Sequence, residues 1–175
     1  MEISFLKPEK ILKELELKKD MKAVDFGSGS GGWAIPLAKK LEDGKVYSVD
    51  VQESALSALK GRAELENIIN IETVLCDLEK AEGLELIDNF FDLVLMTNLL
   101  FQLQDKQQVL KEAKKILKKG GQLLVVDWKE EVSLGPKEGK ISSQELKKII
   151  KNLGFKLNKE FEAEDYHYDL VFTKI

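Results

Sequence analysis

Gly27, Gly29, Gly31 and Gly32 put four glycines into six positions directly after the short run KAVDF. Such a stretch lets a ligand lie against the main chain and reach the N–H groups that open a following helix. Gly27, Gly29 and Gly32 also satisfy the G-x-G-x-x-G spacing of dinucleotide sites. Asp25, two positions earlier, argues against that ligand. A dinucleotide places a pyrophosphate at this turn, and a carboxylate about 6 Å away costs on the order of 3 kcal/mol per phosphate charge at an effective dielectric near 20. A ligand carrying cationic groups in place of phosphates reverses the sign of the interaction.

The elements that must hold this turn follow from hydrophobic patterning. Apolar bursts of strand length alternate with helical patterns, the mark of βαβ units and a parallel sheet. KAVDF, KVYSVDV, NIETVLCD, FDLVLMTN and QLLVVDW read as five strands, and the fourth is apolar enough for a sheet centre. PEKILKELEL reads as an amphipathic helix, with Pro8 in its first turn and Ile11, Leu12 and Leu15 on one face. SALSALKGRAELE is a second helix. DKQQVLKEAKKILKKGG is a third, with Gly120 as its expected stop. SSQELKKIIKNLG is a fourth, opened by a serine cap with Glu145 near the N3 position. FKLNKEFEA and YHYDLVFTK follow with almost nothing between them, so they must form an antiparallel hairpin. The reading is an α/β chain with a seven-stranded mixed sheet and helices on both faces.

Bulk properties set the bounds. At 175 residues the default is a single domain over 1–175, with 1–21 a helical lid segment. No apolar run approaches the roughly 18 to 20 residues of a membrane span, and the N-terminal stretch has no signal-peptide core, so a cytoplasmic location is expected. Cys76 is the only cysteine, which leaves no thiolate cluster and no expected metal site. The balance of 27 basic against 31 acidic residues makes nucleic acid an unfavourable partner. Oligomeric state is open.

Through VDFGSGSGG, with its leading acid Asp25, the sequence resembles the class I S-adenosylmethionine-dependent methyltransferases. The ligand's ammonium and sulfonium match the sign that Asp25 demands. FDLVLMTNLLFQLQDK, LKKGGQLLVVDWK and YHYDLVFTK extend the likeness from about Lys22 to Ile175. The resemblance implies a Rossmann-like sheet of order 3-2-1-4-5-7-6 and S-adenosylmethionine as cofactor. It further implies a cofactor site of Asp25, Gly27, Ser28, Gly29, Asp50, Val51, Asp77, Leu78, Asn98 and Leu99. Asp50, twenty-three positions after Gly27, would accept hydrogen bonds from both ribose hydroxyls. Asp77 would accept from the adenine amino group, with Leu78 offering a backbone N–H. Asn98 closes the fourth strand, and Leu99 to Phe101 would wall the methyl-transfer cavity. All lie at the carboxyl ends of parallel strands, where open α/β sheets bind ligands.

No catalytic residue is forced, because methyl transfer is an in-line displacement at a carbon the sulfonium already activates. Absences narrow the acceptor. Asn98-Leu99-Leu100-Phe101 stands where enzymes acting on nucleobase amino groups carry Asn-Pro-Pro-Tyr, and a lone Cys76 suits neither carbon-5 cytosine nor arsenic chemistry. A small organic molecule, a quinone-like ring or a protein side chain remains. His167 reads first as structural and second as a base; Asp127 reads equally as a substrate contact or a turn former. Residues 129–140, with Gly135-Pro136 and Gly139, read as a polar, mobile loop, equally part of the acceptor site or a plain solvated connection to the next helix. Two other readings stay open: a non-catalytic S-adenosylmethionine binder, and an NAD-dependent oxidoreductase.

Overall fold

The computed structural model describes residues 6–80, 85–162 and 164–175. Among them, β1 (Lys22–Phe26), β2 (Lys45–Asp50), β3 (Ile71–Leu75), β4 (Phe91–Thr97), β5 (Leu117–Trp128), β6 (Phe155–Phe161) and β7 (His167–Lys174) form one sheet. Its order is β3-β2-β1-β4-β5-β7-β6, as expected. The first five strands are parallel, and β7 runs antiparallel to both β5 and β6.

Alternation along the strands builds two cores. Val94 and Met96 of β4 face one side with α4 (Lys106–Ile116) and α5 (Ser143–Asn152). Leu93 and Leu95 face the other with α1 (Pro8–Leu12), α2 (Ala34–Lys40) and α3 (Glu53–Leu65). Helices on both faces explain why β4 is apolar along nearly its whole length. Ser142 caps α5 by accepting the Glu145 N–H on its hydroxyl at 3.1 Å, as its sequence anticipates. No described helix is long and apolar enough to cross a membrane.

Two helix ends differ from expectation. The helix at Pro8 stops at Leu12 and does not run on through Leu17. Ile11, Leu12 and Leu15 still enter the core, but the following residues are needed to turn the chain into β1. There the Lys19 carbonyl accepts the Asp43 N–H and the Met21 carbonyl accepts the Lys45 N–H. Likewise α4 ends at Ile116, four residues before Gly120. Its last carbonyls are claimed by the segment entering β4: Asn89 N–H donates to Lys115 O at 3.0 Å and Phe90 N–H to Ile116 O at 2.9 Å. Leu117 is thereby drawn into pairing with Phe91, and Lys174 Nζ donates to the carbonyls of Lys114 and Leu117.

Candidate functional site

Parallel strands bring their carboxyl ends to one edge, and a cavity of about 340 Å³ opens there above β1 to β4. Gly27, Gly29, Asp50, Val51, Asp77, Leu78 and Leu99 line it together. Asp25, Ser28 and Asn98 do not; they sit behind its wall, at the ends of the adjacent strands β1 and β4.

The glycine turn is built for close approach. Gly27 has φ +71°, and a side chain there would come within 2.8 Å of Leu99 Cδ1. The turn is tied to β2, because the N–H groups of Gly27 and Ser28 both donate to Val49 O, at 2.8 and 3.1 Å. Asp50 is held facing it. One carboxylate oxygen accepts the Gly29 N–H at 2.8 Å and the other the Gln52 N–H at 2.9 Å. Asp77 accepts the Glu79 N–H at 3.1 Å and pairs with Lys80 at 3.0 Å. The Lys80 bond, with that N–H, holds its carboxyl below the usual carboxylate range.

The groups behind the wall are unusual. Asp25 has no exposed surface, and neither of its oxygens has a partner among the described residues. Burial, reinforced by the nearby Asp50 carboxylate, pushes its carboxyl up to about 8. Ser28 Oγ and Asn98 Oδ1 are also buried without partners. Each such atom costs about 1–3 kcal/mol. Asn98 also adopts φ +51°, a left-handed conformation that asparagine tolerates better than most residues. It thereby turns β4 into the 3-10 turn Leu100–Gln102, its N–H donating to Val126 O at 2.8 Å. Orphaned acceptors beside a bare backbone fit a ligand with cationic and hydroxyl donors. S-adenosylmethionine has both.

Sequence reasoning missed Gln52, Ala55, Glu79, Gln102 and Leu103, which also line the cavity. All fall within a few residues of a strand end already singled out, and that proximity was the available signal. Cys76 is 7% exposed and contributes to the cavity wall as well. Burial pushes its thiol up.

Past β5 satisfaction is mixed: Asp127 is paired, while His167 Nε2 and the Tyr168 hydroxyl are buried without a hydrogen-bond partner among the described residues. Asp127 accepts the Leu100 N–H and the Trp128 N–H, each at 2.8 Å, so it is the turn former of its two readings. His167 is buried, its ring against Trp128 with centroids 4.1 Å apart, and its Nδ1 contacts the Glu164 carboxylate. Burial lowers its pKa, which keeps the imidazole neutral near pH 7. The loop after Trp128 makes specific contacts. Lys140 Nζ donates to the carbonyls of Val132 and Leu134, and any side chain at Gly139 would strike Phe101 O at 2.0 Å. A second hollow, of about 540 Å³ between Lys129, the start of α5 and Tyr168, shares no lining residue with the first.

A family model described as a methyltransferase domain matches residues 17–163, and the chain belongs to that family. Within it, the likeness is to the S-adenosylmethionine-dependent members. The crystal structure of a SAM-dependent methyltransferase from Aquifex aeolicus is 30% identical, with a TM-score of 0.86 over 96% of this chain and 89% of that one. Demethylmenaquinone methyltransferase of Bacillus mycoides (strain KBAB4) is 31% identical over 129 residues, 73% of this chain and 53% of that protein. The chain thus spans about half the length of the curated relatives it matches. The [4+2]-cyclase SpnF shares the fold, with a TM-score of 0.84 over 95% of this chain and 79% of that one, at 13% identity.

Proposed function

We propose that this chain transfers the methyl group of S-adenosylmethionine to a small organic acceptor in the cytoplasm, with a reduced quinone-type ring as first candidate. The observation that carries the reading is the set of unpartnered buried acceptors, Asp25, Ser28 and Asn98, beneath a glycine turn faced by Asp50. A dinucleotide would bring phosphate toward Asp25 and supply no cation to draw its carboxyl into the ionised form. The quinone-type acceptor is suggested by the name of the Bacillus mycoides relative.

When bound, S-adenosylmethionine supplies a methyl carbon activated by its sulfonium. The residues of this chain bind and orient. Asp50 accepts from the ribose hydroxyls, with its oxygens already aimed by the Gly29 and Gln52 N–H groups. Asp77 and the Leu78 N–H receive the adenine, and Val51 and Leu99 close over the nucleoside from either side. Asp25 draws the ammonium to the end of β1, while Gly27, Ser28 and Gly29 let the methionine portion lie on the backbone. Residues 6–21 and the loop 129–140 flank the acceptor and exclude water.

Calorimetry with S-adenosylmethionine, S-adenosylhomocysteine and NAD tests the cofactor. The first two bind and NAD does not; tighter binding of NAD overturns the reading. Labelled methyl transfer to a short-chain reduced naphthoquinone tests the acceptor. Cofactor binding without transfer to any ring or amine acceptor would favour a non-catalytic binder. Replacing 129–140 with a short Gly-Ser bridge should lower turnover at least tenfold while cofactor affinity stays within a factor of a few, since Asp25, Asp50 and Asp77 lie on or just after the first three strands.

A further inference from the structure

Glu79 follows β3 and lines the cofactor cavity, yet it bonds across that cavity to the opposite wall. Its Oε1 accepts the N–H groups of both Gln104 and Asp105, each at 2.6 Å. Those residues come directly after Leu103, the last apolar side chain of the wall that begins at Leu99. Both ends of this bridge are anchored. On one side the Glu79 N–H donates to Asp77. On the other, Asp105 caps α4 by accepting the Gln108 N–H at 2.9 Å. One carboxylate oxygen thus ties the segment after β3 to the start of α4, with the cavity between them.

We propose that Glu79 is a positioning residue that sets the width of the slot receiving the adenine ring. The inference rests on the cofactor reading above and adds a residue to which nothing else assigns a role. Among the described residues, no other side-chain hydrogen bond joins the wall of Cys76 and Leu78 to that of Leu103. A charge-assisted bond to two backbone donors fixes their spacing, and its stiffness spares the ligand the entropic cost of ordering the walls. Asp77, engaged with Lys80 and the Glu79 N–H, is then held at a constant distance from Leu103.

The test compares Glu79→Ala, Glu79→Gln and the wild-type chain, using adenosine, S-adenosylhomocysteine and S-adenosylmethionine as ligands. In Glu79→Ala all three affinities should fall in parallel by about tenfold, because the loss is at the adenine end. Glu79→Gln keeps a carbonyl acceptor and should recover most of the loss. Amide hydrogen exchange at Gln104 and Asp105 should quicken in the alanine variant. Unchanged adenosine affinity in Glu79→Ala overturns the proposal. So does an affinity loss that matches the loss of folded protein and is not rescued by glutamine. A wild-type chain that binds none of the three ligands overturns the cofactor reading and this inference with it.

Discussion

Asp25 and Asp127 end the two strands that flank β4, and both are almost completely shielded from water. Their surroundings differ. Asp127, on the face packed by α4 and α5, accepts two backbone N–H groups, and burial raises its carboxyl only to about 6 against their pull. Asp25, on the face packed by α1 to α3, accepts none, and the same cause carries it to about 8. Burial is therefore equal and satisfaction is not. An acid whose donors come from its own backbone holds a turn, whereas one left without donors costs stability until something else supplies them. The first is architecture. The second is the mark of a binding site, where local rules are broken for a ligand.

The largest effect should come from removing the satisfied acid. Asp127→Ala strands the Leu100 and Trp128 N–H groups and should cost about 3 kcal/mol, which lowers the melting temperature by roughly 6–12 °C. Asp127→Asn should recover part of it. A thermal melt that shows no loss would mean that the turn stands without the carboxylate, and the contrast with Asp25 would fail.

Removing the orphaned acid should do the opposite. Asp25→Asn should melt no lower than the wild type at pH 8. Its affinity for S-adenosylmethionine and S-adenosylhomocysteine, which both carry an ammonium, should drop about tenfold, or about 1.4 kcal/mol. Adenosine, which lacks the ammonium, should bind as before. Calorimetry with the three ligands decides; equal losses for all of them would move Asp25 out of the ammonium role.

The smallest effect is in pH. The folded chain keeps the Asp25 proton up to about 8, while the unfolded chain releases it near 4. Folding thus retains a proton in that interval, and stability falls as pH rises through it, levelling off above 8. Asp127 acts with the same sign, but only up to about 6. His167, lowered by burial, acts with the opposite sign and only below its ordinary value of 6.5. Between pH 6.5 and 8 Asp25 acts alone among these three. Denaturant unfolding there should show a decline of about 1–2 kcal/mol in the wild type and a flat line in Asp25→Asn. A decline that persists in the variant would assign the titration elsewhere.

The strands, the terminal hairpin and the gathering of Asp50, Asp77 and the glycines at one edge were legible in the sequence, because period and glycine spacing are local signals, whereas the strand order came from the family resemblance. The end of α4 was not, since its last carbonyls answer to Asn89 and Phe90, far away along the chain. The same holds for Asp127 with Leu100 and for Glu79 with Gln104, bonds from side chain to backbone that span 27 and 25 residues. Such bonds leave no periodic trace. Gly139 was visible as a loop residue, but its role as a contact against Phe101 needed the third dimension.

The insertion of β7 between β5 and β6 also governs how the molecule is made. β5 pairs with β7 over seven residues, from Gln122–Thr173 to Trp128–His167. Until β7 leaves the ribosome, Leu123 to Val126 stand on an open edge, a ready template for a neighbouring nascent chain. The helical layers and β1 to β4 are complete in sequence well before then. Closure of the sheet thus awaits β7 itself, and a chain cut short within that strand keeps the residues that line the cavity while leaving the apolar edge of β5 unpaired.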